Sequence, residues 1–329
     1  MSFKHSAILI GLGSTTETAL PALRDRFEVL ALVRPGNDAV VQAAKAAGIR
    51  VVANTSVSTI SALVQELQPS AVVVSSYNRI LPESLLATRP FINVHYAPLP
   101  RYRGRSTVNW AILNGEKETA ISIHCLTKEL DAGGILAQQS IPIGPSDTVS
   151  DLYRRLGLLQ RELLAEAVER RLAGDLGEPQ DDTMASYSCA RVPSDGIIDW
   201  SVSTVQIDRL IRSLGGPFPN AFTFLDGQRI EVISAEPVQL RRNYVGRVPG
   251  RVASVDRSRG EVDILTGDGI LRLKQVQITG VGVQDASAVI ASTRMTLGGF
   301  CAERYAHVSS APGSMGAFNY PRHSLVQTD

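Results

Sequence analysis

Between Ala7 and His95 the chain alternates short apolar runs with stretches of helical spacing, and this alternation restricts the fold more than any other feature. AILIGL (Ala7 to Leu12), VLALV (Val29 to Val33), IRVV (Ile49 to Val52), AVVVSS (Ala71 to Ser76) and FINVH (Phe91 to His95) are too short for ordinary helices. Their near-continuous apolar character suits strands buried on both faces. Between them, Glu17 to Arg26 carries Leu20 and Leu23 toward Phe27 at spacings of three and four. Asp38 to Ala47 is Ala-rich and is closed by Gly48, and Ser58 to Leu67 completes the set. Strand and helix in regular alternation predict a parallel sheet with helices on both faces, an α/β doubly wound domain.

A helix near Thr107 to Leu113 and strands around Ala120 to Leu126 and Ile135 to Ile143 follow. Val149 to Leu172 reads as a long amphipathic helix, with Leu152, Leu156, Leu159, Leu163 and Leu164 on one stripe. Gly174 to Ala190 is polar, contains Pro179 and two adjacent aspartates, and is expected to be a linker. From Ser194 the texture changes to one helix (Val205 to Leu214) and several short β-like runs. Asp226-Gly227 and Asp268-Gly269 are hairpin dipeptides. This pattern predicts a small C-terminal β-barrel, OB-like in type. The expected organisation is a catalytic domain over 1–190, a barrel domain over 191–304 and a loose Ser/Pro/Gly tail over 305–329.

With 44% hydrophobic and 20% charged residues in 329, the chain has enough apolar material for two cores and is not a disordered protein. Its 33 basic and 32 acidic residues leave a formal charge of +1, without the excess expected of a nucleic-acid-binding protein. Cys125, Cys189 and Cys301 are scattered, so neither a disulfide framework nor a Cys-x-x-Cys metal site is readable, and a reducing, cytoplasmic setting is expected. MSFKHSAILIGLGS lacks a cleavage signal and no run of 18 apolar residues occurs, so neither a signal peptide nor a membrane span is expected. His5, His307 and His323 have no Cys or His partner at ligand spacing, and no metal is expected.

Gly11-Leu12-Gly13 sits where a dinucleotide-binding turn would. The third glycine of that fingerprint falls on Thr16, and the second strand ends in VRPG without an acid, so the fit to a nicotinamide-dependent oxidoreductase is incomplete. The stronger signal is FINVHYAPLPRYRGRSTVNWAILNGE with SIHCLTKELDAGGILAQQ downstream. Asn93 and His95 are two apart on a strand and leave the same face. They lie at its carboxyl end, where open α/β sheets bind ligands. An amide donor stabilises an oxyanion and an imidazole moves a proton near neutral pH. Asp131 is the candidate carboxylate, because Gly133 and Gly134 permit a tight turn behind it. His124 on the neighbouring strand is expected to be structural or supporting.

N-x-H, then L-P-x-Y-R-G, then D-x-G is a pattern that resembles the formyltransferases using 10-formyltetrahydrofolate. The resemblance spans roughly residues 5 to 300, since IDW (Ile198 to Trp200), IRSLGGPFPNAF (Ile211 to Phe222) and TGDGIL (Thr266 to Leu271) are similar to that family's C-terminal barrel. It implies Asn93, His95 and Asp131 as the catalytic set, with Asn93 and protonated His95 stabilising the oxyanion, Asp131 orienting His95 and a water relaying the amine proton. It implies Tyr77, Ile80, Leu81, Pro82 and Gly133 on the folate side and Tyr102, Arg103 and Trp110 on the acceptor side. Core packing is the competing role for Ile80 and Leu81, and packing against the barrel for Tyr102 and Trp110.

Two departures from the family stand out. The usual Ser-Leu-Leu-Pro after the histidine is Ala97-Pro98-Leu99-Pro100 here. The basic loop of the tRNA-acting members is replaced by VRPGNDAVV, with Arg34 its single base. NWAILNGEKET resembles the amino-sugar members. A nucleotide-linked amino sugar is therefore the first expectation for the acceptor. An ornithine derivative or a peptide amine comes next, then methionyl-tRNA, with no nucleic-acid partner expected. A binding protein keeping only the fold and a hydrolase of the formyl donor are the readings from other classes. The oligomeric state is left open.

Overall fold

The apolar runs become neighbours in one seven-stranded sheet. In the computed structural model, which describes residues 5–239 and 243–298, β1 (Ser6–Ile10), β2 (Glu28–Val33), β3 (Arg50–Val52), β4 (Ala71–Ser75) and β5 (Phe91–His95) are parallel in the order β3-β2-β1-β4-β5. Helices α1 (Thr16–Arg24), α2 (Ala39–Ala46) and α3 (Val57–Leu67) connect the first four strands. Asp38 and Ser56 start α2 and α3 by accepting from the backbone N–H of Val41 and Thr59. Successive strand residues feed opposite faces. Leu9, Val73 and Ile92 join α1 and α2 in one core, while Ile8, Ile10, Val72 and Val74 join α3 in another.

The short helix α4 (Glu83–Leu86) precedes β5; β6 (Arg103–Gly104) and α5 (Thr107–Asn114) follow it. β7 (Glu118–Cys125) and β8 (Ile135–Pro142) then extend the sheet antiparallel, in the order β5-β7-β8. Their direction was not readable, because a strand buried on both faces has the same pattern either way. The long helix α6 (Val149–Leu172) starts at a capping box formed by Thr148 and Asp151 and lays Leu152, Leu156 and Leu164 on the first core.

The expected linker is ordered against this first unit. Glu178 bridges Ile135, and β9 (Tyr187–Ser188) pairs with β6. After it, α7 (Thr204–Arg212) packs on an antiparallel sheet of β10 (Ala221–Leu225), β11 (Gln228–Val238), β12 (Val252–Asp256), β13 (Glu261–Leu265), β14 (Ile270–Ile278) and β15 (Gly282–Asp285). Its order is β10-β11-β14-β13-β12, with β15 added to β14. A short helix, α8 (Ala286–Val289), closes the described chain's core, which includes Trp200, Ile207, Val232, Val262 and Leu271. Bulges around Ser234 bend β11 so that one strand pairs with both β10 and β14.

Asp226-Gly227 is the two-residue hairpin turn expected, with both residues at positive φ. Asp268-Gly269 differs: it belongs to a four-residue loop between Leu265 and Ile270, and the Asp268 carboxylate accepts from the Thr204 N–H at 2.8 Å, tying the start of α7 to the sheet. The two units touch through Asn109, whose amide donates to the Ser213 carbonyl at 2.6 Å, and through the Tyr153 and Phe218 rings. The expected tail over 305–329 lies outside the described residues. Among the described residues no helix is long and apolar enough to cross a membrane.

Candidate active site

Strand order reverses between β1 and β4, and that reversal opens a crevice at the carboxyl ends of β1, β4 and β5. A cleft of about 450 Å³ lies there, with Gly13, Thr15, Ser76, Asn93, His95 and Asp131 among its lining. A smaller recess of about 90 Å³ adjoins it, walled by Val74, Leu81, Leu126 and Leu130. Six non-glycine residues of the described chain have positive φ, and four of them serve this crevice: Ser76 (66°), Tyr102 (60°), Ser106 (56°) and Asp131 (50°). Such backbone is costly for side chains with a Cβ and persists only where surrounding contacts enforce it.

Asn93, His95 and Asp131 converge on the cleft floor. Asn93 Nδ2 donates to Asp131 Oδ1 at 3.3 Å and lies 3.1 Å from His124 Nε2. His95 Nε2 is 2.8 Å from the Tyr102 carbonyl, which only accepts, so the proton sits on Nε2. Its other nitrogen, Nδ1, faces Asp131 Oδ2 at 3.7 Å. The Gly104 N–H donates to the same carboxylate oxygen at 2.9 Å.

Burial pushes the His95 pKa down, and the Asp131 carboxylate and the Tyr102 carbonyl only partly offset it, so the ring rests neutral. Burial alone would raise Asp131. The neighbouring His95 and His124 rings and the hydrogen bond from the Gly104 N–H outweigh it and hold the carboxyl well below the ordinary range. The site therefore presents a neutral imidazole beside a fixed anion and an amide donor. That arrangement takes up a proton and stabilises a developing oxyanion.

On the expected folate side, Tyr77 and Ile80 line both cavities, and Ile80 is 74% exposed at the mouth, which removes core packing as its role. Leu81 does both: it packs in the core with α3 and walls the recess. Pro82 and Gly133 line neither cavity. Pro82 precedes the first turn of α4. Gly133 is packed so closely that a Cβ would lie 1.9 Å from the Cys125 carbonyl oxygen.

None of the three acceptor-side side chains lines the cleft, and each has partners elsewhere. The Tyr102 hydroxyl donates to Glu116 at 2.7 Å, and only its carbonyl serves the site. Trp110 donates to the Cys189 carbonyl at 2.9 Å and stacks with Arg191. Arg103 is buried and bonds Asp182 at 2.7 Å and Gln180 at 2.8 Å. The Arg103 and Trp110 side chains reach the linker, which the sequence did not place beside them.

Sequence reasoning missed Gln180, whose amide donates to the carbonyls of Asp131 and Gly133, both at 2.8 Å. It also missed Arg79 and Arg105 at the cleft mouth. Neither has a carboxylate partner among the described residues, and Arg105 bonds the Asn78 carbonyl. Their signal was available: each interrupts or directly follows a quoted motif, SSYNRILP and LPRYRG.

The Gly11-Leu12-Gly13 turn is filled from within. Arg34 is buried, its Nη1 donating to the carbonyls of Gly11 (3.0 Å) and Gly13 (2.9 Å) and to Thr16 Oγ1, while Nε and Nη2 bond Asp38. The turn is thus braced by Arg34 from within, and Thr16 fills the place of the third glycine of the dinucleotide fingerprint. The Ala97-Pro98-Leu99-Pro100 loop is held by β7 and β8: Ser122 Oγ donates to the Ala97 carbonyl at 2.6 Å, and Gln138 donates to the Leu99 carbonyl at 3.0 Å. Among the described residues no group of three His, Cys, Asp or Glu is placed to hold a metal ion.

Comparison with known proteins agrees with this geometry. Residues 31–168 match the formyl transferase family, and residues 192–294 match the formyl transferase C-terminal domain. A methionyl-tRNA formyltransferase of Streptococcus pneumoniae is 32% identical over 307 residues, covering 88% of this chain and 96% of that protein. HypX from Aquifex aeolicus, solved with tetrahydrofolic acid, shares the fold with a TM-score of 0.65 at 17% identity; the match covers 87% of this chain but only 47% of HypX, so the chain spans about half that protein's length. An N-formyltransferase from Helicobacter canadensis, solved with folinic acid and dTDP-3-aminofucose, gives a TM-score of 0.63 at 19% identity, covering 83% of this chain and 99% of that one. With both family domains matched in order over most of its length, the chain belongs to the formyl transferase family and is an enzyme of formyl transfer.

Proposed function

We propose that the enzyme moves a formyl group from 10-formyltetrahydrofolate to the primary amine of a small acceptor. The convergence of Asn93, His95 and Asp131 on one cleft floor carries this reading. The cleft has the volume of a small-molecule site, and the apolar recess beside it suits a flat heterocycle such as the pterin. The neutral amine attacks the formyl carbon, forming the new C–N bond and an oxyanion. Asn93 donates to that oxyanion. His95 Nδ1 takes the amine proton, directly or through a water, and the imidazolium is stabilised by Asp131. His95 then returns the proton to N10 as the C–N10 bond breaks, leaving tetrahydrofolate and a formamide. Folate binding and catalysis are assigned to residues 1–190, and shaping of the acceptor side to 191–304. A cytoplasmic setting, read from the scattered cysteines, belongs to the same proposal.

A nucleotide-linked amino sugar is the acceptor the residues support best. Arg34, the single base on the shortened loop, is bonded internally and is not free for tRNA phosphates. Arg79 and Arg105 at the mouth suit the few phosphates or carboxylates of small anionic ligands. The Helicobacter canadensis N-formyltransferase was solved with dTDP-3-aminofucose, a nucleotide-linked amino sugar. Methionyl-tRNA is the second reading, favoured by relatives whose length the chain matches almost entirely. The test incubates the enzyme and 10-formyltetrahydrofolate with nucleotide amino sugars, amino-acid amines and methionyl-tRNA in parallel at near-physiological salt, and reads the mass gain of one carbonyl. Formylation of methionyl-tRNA alone would overturn the small-acceptor assignment. Formate release without any amine would overturn the transferase assignment.

A further inference from the structure

His124 is wholly buried on β7, beneath the catalytic groups and out of reach of the cleft. Its Nδ1 lies 2.8 Å from the Cys125 carbonyl oxygen. A carbonyl only accepts, so the ring proton is on Nδ1 and Nε2 carries a lone pair. That lone pair faces Asn93 Nδ2 at 3.1 Å, and Asp131 Oδ1 faces the same nitrogen at 3.3 Å. Both partners are acceptors, which fixes which end of the Asn93 amide is NH₂. The two acceptors are only 3.6 Å apart and subtend an acute angle at Nδ2, smaller than the angle between the hydrogens of a planar amide. A single N–H pointing between them can serve both, with the second hydrogen then turned to the cleft that Asn93 lines.

We infer that His124, locked as its Nδ1–H tautomer by the Cys125 carbonyl, is a positioning residue that makes Asn93 a donor to the oxyanion. With the proton on Nε2 instead, the amide turns over to accept from His124 and offers the cleft a carbonyl oxygen, which repels an oxyanion. This inference rests on the reaction proposed above.

Two substitutions separate the two contacts of the ring. Asparagine places its amide nitrogen near the position of Nδ1, so His124→Asn keeps the donor to Cys125 and removes the acceptor facing Asn93. Glutamine reaches the position of Nε2, so His124→Gln keeps an acceptor for Asn93 and gives up the tether. His124→Asn should lower kcat about 100-fold or more, in the range for losing one oxyanion donor, with the KM of the formyl donor within about twofold. His124→Gln should keep kcat within about threefold of wild type. Equal loss in the two variants overturns the inference. A second measurement does not depend on turnover or on the variants folding: ¹⁵N NMR of the wild-type enzyme should show a His124 proton on Nδ1 and none on Nε2, and a proton on Nε2 overturns the inference. If the wild type formylates no amine, the proposed reaction fails while the tautomer measurement still decides the role of His124.

Discussion

The side-chain amide of Gln180 donates to the main-chain carbonyl of Asp131 at 2.8 Å, although 49 positions separate them. The same nitrogen reaches the Gly133 carbonyl, and the Gln180 oxygen accepts from Arg103. A linker residue thus holds the turn that aims the Asp131 carboxylate, and Arg103 holds the linker residue. Gln180→Ala should lower kcat about tenfold through misplacement of Asp131, with the KM of the formyl donor little changed. Arg103→Lys, which cannot span Gln180 and Asp182 together, should have a smaller effect in the same direction. Steady-state kinetics of both variants checks this, and an unchanged kcat in Gln180→Ala would refute it.

This relationship marks the limit of what the sequence discloses. The sheet was legible because each strand is an apolar run of its own, and Asn93, His95 and Asp131 were legible because two share a strand and one precedes a glycine pair. Contacts of the polar linker were not. Pro179, Gln180 and Asp182 read as solvated loop until the fold lays Gln180 and Asp182 against the buried Arg103 side chain. The Tyr102 carbonyl that fixes His95 is equally invisible, since every residue has one; only the positive φ imposed at Tyr102 distinguishes it.

The catalytic set should behave as a unit. His95→Ala, Asn93→Ala and Asp131→Ala should each lower kcat by about 100-fold or more. The His95→Ala/Asp131→Ala double variant should lose little beyond the worse single variant, because Asp131 acts through His95. Near-normal turnover in either single variant, measured with the acceptor that the screen identifies, would contradict the proposed mechanism.

Burial lowers the His95 pKa, and this fixes the sign of its pH dependence. The unfolded chain takes up a proton at about pH 6.5, while the folded ring resists it to lower pH. The contribution to stability is therefore full above 6.5 and is lost as pH falls below it. Asp131, also depressed, adds a second loss below the ordinary carboxylate range. The acid limb of kcat/KM should lie below 6.5, since the neutral ring is the proton acceptor. Thermal melts from pH 8 to pH 4 should show a shallower decline between 6.5 and 5 for His95→Gln than for wild type. Parallel declines would rule out His95 as the source.

Two glycines should respond very differently to alanine. At Gly133 a Cβ meets the Cys125 carbonyl oxygen at 1.9 Å, so backbone must move in the turn that carries Asp131. Gly133→Ala should cost about 3 kcal/mol and depress kcat as well, at the upper end of overpacking effects. At Gly36 a Cβ meets nothing within 4 Å, and only its φ of 84° opposes a side chain. Gly36→Ala should cost about 1 kcal/mol and leave kcat unchanged. Chemical denaturation with parallel kinetics distinguishes the pair, and equal losses of stability would show that the close approach at Gly133 does not govern that turn.

Arg79 and Arg105 offer the last test, because they bear on which ligand enters from the mouth. Both line the cleft without a carboxylate partner among the described residues, and the Arg105 guanidinium bonds the carbonyl of Asn78, next to Arg79 in sequence. Two like charges lining one cleft without a carboxylate partner attract an anion, which a bound phosphate or carboxylate supplies. Exposure weakens each contact, so removing one should cost about fivefold to tenfold in affinity and not the larger factors of buried pairs. Arg79→Ala and Arg105→Ala should each raise a KM by that factor while leaving kcat nearly intact, and the effect should shrink as salt is raised. Varying donor and acceptor separately tells which ligand carries the anion. A rise confined to the acceptor KM supports a phosphorylated amine, and a rise confined to the donor KM assigns the pair to the glutamate carboxylates of the folate. If both KM values stay at wild-type level in the double variant at low salt, the two arginines take no part in recognition.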